Sequence, residues 1–205
     1  MLAAKTLPEK AKSLSQPALA QLFLESRTHS AWLPRPVSDK TLLELYQLTR
    51  MAPTSANASP ARFVFLTTDD AKARLLPAMA PTNVEKTRSA PVTVLIAWDT
   101  EFHEQLPKLM PYADFRSYFH GNDALIHETA FRNSSLQGGY FILAARALGL
   151  DVGPMSGFDA EKVNGEFFAD GKWKVNFIVN LGYGDHEKLF PRQPRLEFDE
   201  AAIVL

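Results

Sequence analysis

The chain has 205 residues, 46% of them hydrophobic, so it can bury a substantial core and is most simply one domain. Its formal net charge of −1 gives no general attraction to nucleic acid or to an anionic membrane, and we expect neither as a partner. The absence of cysteine excludes disulfides, a thiol nucleophile and cysteine-bound metal. Since no segment resembles a signal peptide or a membrane span, we expect a cytoplasmic protein.

The chain is expected to begin with a flexible leader, residues 1–16, followed by a single domain over residues 17–205. A first helix is predicted from about residue 15 to residue 28, and Arg27 and His29 lie at its exit. Two cations at this place can interact with the negative end of the helix dipole, or they can bind an anion. Composition alone favours the dipole interaction, and the anion site is the alternative.

A second helix is predicted over residues 37–52 and is followed by a polar loop that leads into a strand over residues 62–67. The helix residues expected to face inward are Leu42, Leu45, Tyr46 and Leu48. The loop carries the short polar side chains Thr54, Ser55, Asn57 and Ser59. Such side chains can hold a ligand rich in hydroxyls and carbonyls, although most clusters of this kind are ordinary loops.

The middle of the chain alternates helices and strands. After a short helix over residues 68–80 we expect a loop over residues 81–91, and then a buried, continuously apolar strand over residues 92–98. A weaker helix is predicted near residues 101–109. The aromatic segment over residues 112–120 is either a lid over a pocket or a side cluster of the core.

The longest predicted element is a helix of about 26 residues that begins at Asn122 or Asp123 and ends at Gly149. It is apolar around most of its circumference, so we expect it to be buried on most faces. Gly138 and Gly139 permit another backbone to approach closely, within the chain or from a second subunit.

The last third is predicted to contain a turn in the sequence GPMSGF, a helix over residues 160–169 and a strand over residues 173–181. A basic, proline-rich tail follows. The alternation of elements indicates an α+β or α/β layer structure.

Three signatures fail on inspection. Pro154 occupies the position where a serine hydrolase needs glycine before its nucleophile, and Phe131 stands where a zinc-binding helix starting at His127 needs a second histidine. The sequence GYGDHE lacks the last glycine of a dinucleotide fingerprint. We therefore expect no metal site, no hydrolase and no Rossmann domain.

Four segments together resemble the nitroreductase family: RTHSAW, APTSANASPARFVF, ALGLDVGPMSGFD and KLFPRQPR. The details FRNSS, GPMSGFD and NLGYGD are most similar to the malonic semialdehyde reductases of the pyrimidine-utilisation (Rut) pathway. The resemblance implies an α+β fold with a mainly antiparallel central sheet, flanked by helices, and a long central helix at the interface of a homodimer. It also implies FMN as cofactor and NADH or NADPH as co-substrate.

The resemblance assigns the FMN contacts as well. Arg27, His29, Arg192 and Arg195 would hold the phosphate, and Thr54, Ser55 and Asn57 would come from the other subunit. Pro154, Met155, Ser156 and Gly157 would lie along the flavin ring, with Asn133 and Lys86 or Asn83 at its pyrimidine edge. Two departures from the family pattern, no basic residue over residues 30–32 and Ser156 in place of a carboxylate, imply a different phosphate grip and flavin tuning.

The function implied is a ping-pong oxidoreductase in which hydride passes from NAD(P)H through flavin N5 to malonic semialdehyde, giving 3-hydroxypropionate. Arg116 is the candidate for the substrate carboxylate, and its alternative is a surface ion pair with Asp114. Two other functions stay open, a broad reductase of nitroaromatics or quinones and a flavin-binding protein without turnover. A helical dimer with no ligand is the simplest alternative.

Overall fold

The structure is a computed structural model that describes residues 13–205. Its centre is a four-stranded sheet in the order β1-β2-β4-β3, and all three neighbouring pairs are antiparallel. The strands are β1 (Ala61–Leu66), β2 (Val92–Asp99), β3 (Asp151–Met155) and β4 (Trp173–Gly182). The predicted leader falls mainly on residues 1–12, outside the described residues, and Gln16 already begins the first helix.

Nine α-helices are found within residues 13–205. They are α1 (Gln16–Leu19, continued by a π-turn, Ala20–Leu24), α2 (Asp39–Thr49), α3 (Asp69–Leu75), α4 (Pro81–Ser89), α5 (Leu106–Leu109), α6 (Arg116–Phe119), α7 (Asp123–Ala147), α8 (Ala160–Phe167) and α9 (Phe198–Ala201). Short 3₁₀ turns cover Ser55–Asn57, Leu76–Ala78, Phe102–Gln105 and His186–Lys188. None of the helices in this part of the chain has the length and apolarity needed to cross a membrane.

Both faces of the sheet are covered, which explains why β2 is apolar along its whole length. On one face Val94 and Ile96 pack with Leu45 of α2 and Phe141 of α7. On the other face Leu95 packs with residues of α3 and α8. The predicted α+β architecture, with an antiparallel sheet between helices, is confirmed.

Helix α7 runs for 25 residues and agrees closely with the predicted central helix. The side chain of Asn122 accepts from Leu125 N at 3.1 Å and caps its start, while Gly149, at φ +73°, lies just beyond its end. A Cβ on Gly138 would collide with the ring of Phe177 in β4, so this glycine serves packing within the chain. Gly139 faces open space, and the face it shares with Leu136 and Tyr140 is exposed in the single chain. The expectation that α7 is buried on most sides therefore fails for this face of an isolated chain.

Two predicted loops form regular structure instead. Residues 81–89 form α4, and Pro81 at its first turn suits a helix start. The two buried side chains of this helix, Asn83 and Thr87, are polar, so the sequence shows no apolar stripe. The segment predicted as a turn begins in β3, an edge strand of the sheet, where Pro154 is tolerated.

Two smaller predictions need correction. Tyr46 and Leu48 are exposed on α2, whereas Leu42 and Leu45 are buried as expected. In the aromatic segment, Phe119 joins a side cluster of the core with Phe102, while Tyr112 and Tyr118 are exposed. The core alternative therefore applies to Phe119.

Candidate functional site

A cavity of about 710 Å³ lies between the exit of α1, the end of α7 and the C-terminal tail. Five cationic side chains line it, and no acidic side chain of the described residues does. They are Arg27, Lys86, Arg146, Arg192 and Arg195. We call this the cationic cavity. Such a concentration of uncompensated positive charge favours an anion, and guanidinium groups match the geometry of phosphate oxygens.

The walls of the cationic cavity are held by hydrogen bonds between segments far apart in the chain. Arg192 donates to Leu24 O at 2.7 Å and to Ser26 O at 3.0 Å, and Arg27 donates to Phe190 O. The tail and the exit of α1 thus position one another. Among the described residues Arg195 donates only to the neighbouring carbonyls of Gln193 and Pro194, so its guanidinium does not join the tail to another segment.

Arg146, in the last turn of α7, is the one cation of the cavity that the sequence analysis did not identify. It donates to Leu22 O at 3.0 Å, and its partial burial lowers its pKa from the usual value. The signal was present, because an arginine in the last turn of a helix, directly after the apolar run 141–145, is placed to reach a neighbouring segment.

The pyrimidine-edge candidates Asn83 and Lys86 lie together on α4 and are fixed to the turn after β3. Asn83 Nδ2 donates to Gly157 O at 3.1 Å, and Lys86 Nζ is 3.4 Å from Asn83 Oδ1. Ala80 N also donates to Gly157 O, at 3.0 Å. A Cβ on Gly157 would lie 2.7 Å from Asn83 Nδ2, which explains why glycine stands at this turn.

The ring-facing candidates follow along the edge of the sheet. Pro154 and Met155 are the last residues of β3, opposite Val179 and Ile178 of β4, and Ser156 and Gly157 continue from them. Within residues 13–205 no hydrogen bond from the N–H groups of Ser156 or Gly157 is found. Free N–H groups at a strand edge are ready donors for a ligand.

The polar loop between α2 and β1 lies elsewhere on the chain. Ser55 N donates to Asn133 Oδ1 at 2.8 Å, Asn57 Nδ2 donates to Leu109 O at 2.7 Å, and Ser59 N donates to Thr54 Oγ1 at 3.0 Å. This loop is strained, with positive φ at Ala56, Asn57 and Ser59. Asn57 and Ser59 line a different cavity, of about 600 Å³, which shares no lining residue with the cationic cavity.

The structure therefore divides the predicted FMN residues into two groups. One group contains Arg27, Asn83, Lys86, the segment 154–157, Arg192 and Arg195, and the other contains the 54–57 loop. Asn133 belongs with the loop, because its amide accepts from Ser55 N and donates to Thr129 O. Its place at the pyrimidine edge of FMN stays a prediction.

His29 also departs from the predicted arrangement. Its side chain is 1% exposed, lies 3.4 Å from Asp151 Oδ1 and is not part of the wall of the cationic cavity. Burial lowers its pKa, and although Asp151 opposes this effect, His186 adds to it. The imidazole is therefore neutral at pH 7, and the four guanidinium groups and Lys86 are the cations of the cavity.

Arg116 forms an ion pair, but with Glu104 Oε2 at 2.7 Å instead of Asp114. Both side chains are about half exposed, so the pair contributes little to stability. Asp114 instead accepts from Ser117 N at 3.1 Å, and this bond chiefly lowers the pKa of the carboxyl.

The sequence model of the nitroreductase family matches residues 25–183, a range that contains the whole sheet and ends before the tail that lines one side of the cationic cavity. The chain belongs to the nitroreductase family. Two similar proteins carry the name "Putative NADH dehydrogenase/NAD(P)H nitroreductase". The one from Ralstonia nicotianae is 59% identical over 94% of this chain and 99% of its own length, and the one from Burkholderia lata is 62% identical over 94% and 98%.

Solved structures agree on the nitroreductase fold. A Bacillus subtilis protein has a TM-score of 0.80 with 25% identity, covering 93% of this chain and all of that chain. An Exiguobacterium sibiricum protein solved in complex with FMN has a TM-score of 0.81 with 16% identity, covering 96% of this chain and all of that chain. At this lower identity the likeness concerns the fold.

Proposed function

We propose that this member of the nitroreductase family is an oxidoreductase with FMN as its cofactor and NADH or NADPH as its hydride source. The observation that carries the proposal is the cationic cavity, where five cations meet without an acidic side chain. FMN brings a doubly charged phosphate that such a cavity fits. The names of the Ralstonia and Burkholderia relatives support the same reading.

Each part of the first residue group has a matching part of FMN. Arg27, Arg192 and Arg195 are proposed to hold the phosphate, with Arg146 adding charge. Asn83 and Lys86 would meet the pyrimidine edge, and the free N–H groups of Ser156 and Gly157 would donate to the ring. When bound, FMN supplies the hydride-accepting and hydride-donating centre of the reaction. The positive charge of Lys86 near the pyrimidine edge would favour a reduced, anionic ring.

We further propose that the working form is a homodimer and that the 54–57 loop of one subunit completes the FMN site of the other. Arg27, Lys86, Arg192 and Arg195 line the cationic cavity, whereas Asn57 lines a different one, and a second copy of the chain would bring the two groups together. The exposed apolar face of α7, with Phe131, Leu136 and Tyr140, is an extended surface for that contact.

The finer proposal names malonic semialdehyde as the electron acceptor, on the resemblance of the FRNSS, GPMSGFD and NLGYGD segments. Its carboxylate needs a cation. Arg116 is already paired with Glu104, whereas Lys108 lines the same cavity as Asn57 and Ser59 and has no acidic partner among the described residues. Lys108 is therefore a second candidate beside Arg116.

The deciding experiment is an anaerobic visible spectrum of the FMN-reconstituted protein during successive additions. Loss of the flavin band on adding NADH or NADPH, followed by its return on adding malonic semialdehyde, is the expected result. Loss of the flavin band without its return would support an NAD(P)H oxidoreductase and contradict malonic semialdehyde as the acceptor. Return only with a nitroaromatic or a quinone would favour the broad reductase, and no loss with either nucleotide would favour a flavin-binding protein without turnover.

Variants test the carboxylate contact and the dimer separately. If Arg116 or Lys108 binds the carboxylate, its replacement by alanine lowers kcat/KM for malonic semialdehyde much more than for propanal. Leu136→Glu is expected to reduce both the mass measured by light scattering and the affinity for FMN. Leu33→Glu, at an equally exposed leucine away from α7, should change neither. A Leu136→Glu protein of unchanged mass would contradict the proposed interface.

A further inference from the structure

Two histidines and a carboxylate from three segments of the chain converge close to the cationic cavity. His29 Nδ1 lies 3.4 Å from Asp151 Oδ1, and His186 Nε2 lies 4.0 Å from Asp151 Oδ2. One ligand atom from each residue lies within 4.8 Å of the other two. We propose that His29, Asp151 and His186 form a site for a divalent transition-metal ion of the zinc type.

The buried imidazole is the first argument. The side chain of His29 is 1% exposed, and neither ring nitrogen makes a hydrogen bond of normal geometry to the described residues, the backbone of Arg27 being the one acceptor close enough to act on its pKa. A buried polar group without a partner costs free energy, so such groups are rare in folded proteins. The Nδ1 atom faces the Asp151 carboxylate, and a metal ion there would give this nitrogen the partner it lacks.

The chemistry of the donors selects the class of ion. Neutral imidazole and carboxylate ligands suit zinc, copper, nickel and iron, whereas magnesium prefers six oxygens. Zinc bonds of about 2.0–2.1 Å in tetrahedral geometry place two ligand atoms roughly 3.3 Å apart. The separation of 3.4 Å between His29 and Asp151 already meets this value. His186 Nε2 lies 4.0 Å from Asp151 Oδ2 and all three ligand atoms lie within 4.8 Å of one another, so His186 must move by up to about 1.5 Å, and its exposed side chain is free to do so.

The backbone holds the three segments in place. His29 N donates to Val152 O at 3.1 Å beside the start of β3, and Gly184 N donates to Asp151 Oδ2 at 2.9 Å. The latter bond orients the carboxylate and leaves Oδ1 toward His29, as outer hydrogen bonds do at known metal sites. The ring of His29 lies so close to Gly184 that a Cβ there would collide with it. An ion would enter from solvent past His186.

Two features limit the expected affinity for zinc. Three protein ligands leave a fourth position for water, and Arg146 also acts on the Asp151 carboxylate. The site should therefore bind zinc less tightly than a structural site with four protein ligands. The sequence analysis expected no metal site because it searched for ligands spaced along a single helix. That search does not detect ligands that come from three separate segments.

The test is equilibrium dialysis of the untagged, FMN-loaded full chain against zinc chloride, with metal content measured by mass spectrometry. We expect one zinc per chain in the unmodified protein and an affinity at least about tenfold lower in His186→Ala, since loss of an outer-shell partner alone costs that much. His120→Ala, at an exposed histidine elsewhere, should bind zinc normally.

A thermal unfolding series gives an independent readout. Zinc chloride should raise the Tm of the unmodified protein and leave that of Asp151→Asn unchanged, and magnesium chloride should raise neither. If Asp151→Asn does not fold, His186→Ala decides the matter, because His186 is exposed. No zinc above background in the unmodified protein, or equal binding by His186→Ala, would overturn the proposal.

Discussion

Asn83 Nδ2 donates to Gly157 O across 3.1 Å, and this bond fixes the first turn of α4 to the turn after β3. The same carbonyl accepts from Ala80 N, while Asp159 N donates to Ala78 O at 2.7 Å. Two segments that carry predicted flavin contacts are thereby held as one unit. A side chain at residue 157 would require the Asn83 amide to shift.

We expect Gly157→Ala to destabilise the fold by about 1–3 kcal/mol, because the new Cβ would lie 2.7 Å from Asn83 Nδ2 and must displace it. FMN affinity should fall at least about tenfold, the equivalent of 1.4 kcal/mol. Chemical denaturation and a flavin fluorescence titration measure the two effects. Gly165→Ala is the control, since its Cβ meets nothing within 4 Å inside α8, and it should be neutral or slightly stabilising. Equal effects of the two substitutions would contradict the close contact.

Arg195→Gln tests the phosphate site without disturbing its walls, because Arg195 donates only to its own neighbours in the tail. Loss of one charge-assisted hydrogen bond, about 1.5–3 kcal/mol, should raise the Kd for FMN by roughly 10- to 100-fold. Riboflavin, which lacks the phosphate, should bind as before. Arg74→Gln removes an exposed arginine paired with Glu166 and should leave both affinities unchanged. A parallel loss of riboflavin affinity in Arg195→Gln would place this arginine away from the phosphate.

Asp159 gives a pH dependence of known sign. Lys162 N donates to its Oδ1 at 3.1 Å at the start of α8, and this bond is the main reason that its pKa lies below the ordinary value. The charged carboxylate therefore stabilises the fold above its unfolded pKa, and this contribution is lost as the pH falls through the lower folded pKa. The Tm advantage of the unmodified protein over Asp159→Asn should shrink as the pH falls from about 5 through the lower folded pKa. A constant difference across that range would contradict the assignment.

The elements that sequence reasoning located best are those whose signals are local. The apolar run of β2 and the Asn122 and Gly149 ends of α7 follow from periodicity and capping, which neighbouring residues determine. Helix α4 was missed because its buried positions, Asn83 and Thr87, are polar and hide the pattern. Strand β3 was missed because five residues containing Gly153 and Pro154 have low strand propensity, and pairing with β4 overrides it.

The site shows the same division between local and distant information. The family resemblance selected Arg27, Arg192 and Arg195, which the structure brings into one cavity with Lys86. It had no means of placing the side chain of His29, whose neighbours are Asp151 at the start of β3 and His186 in the 3₁₀ turn after β4. The position of Asn133 likewise depends on a contact between α7 and the 54–57 loop, which no local pattern reveals.

The hydrogen bond from Ser55 N to Asn133 Oδ1 joins the 54–57 loop to α7. Asn133→Ala removes the acceptor of Ser55 N and should destabilise the protein by about 1–3 kcal/mol, because the amide loses its partner in a partly buried place. If this loop completes the FMN site of a second subunit, the affinity for FMN falls as well, since its strained backbone relaxes. Asn176→Ala, which removes hydrogen bonds to Ser134 and Ser135 but not to the loop, should lower stability without lowering FMN affinity. Denaturant unfolding and flavin titration of both variants separate the two effects, and unaltered FMN affinity in Asn133→Ala would remove the loop from the site.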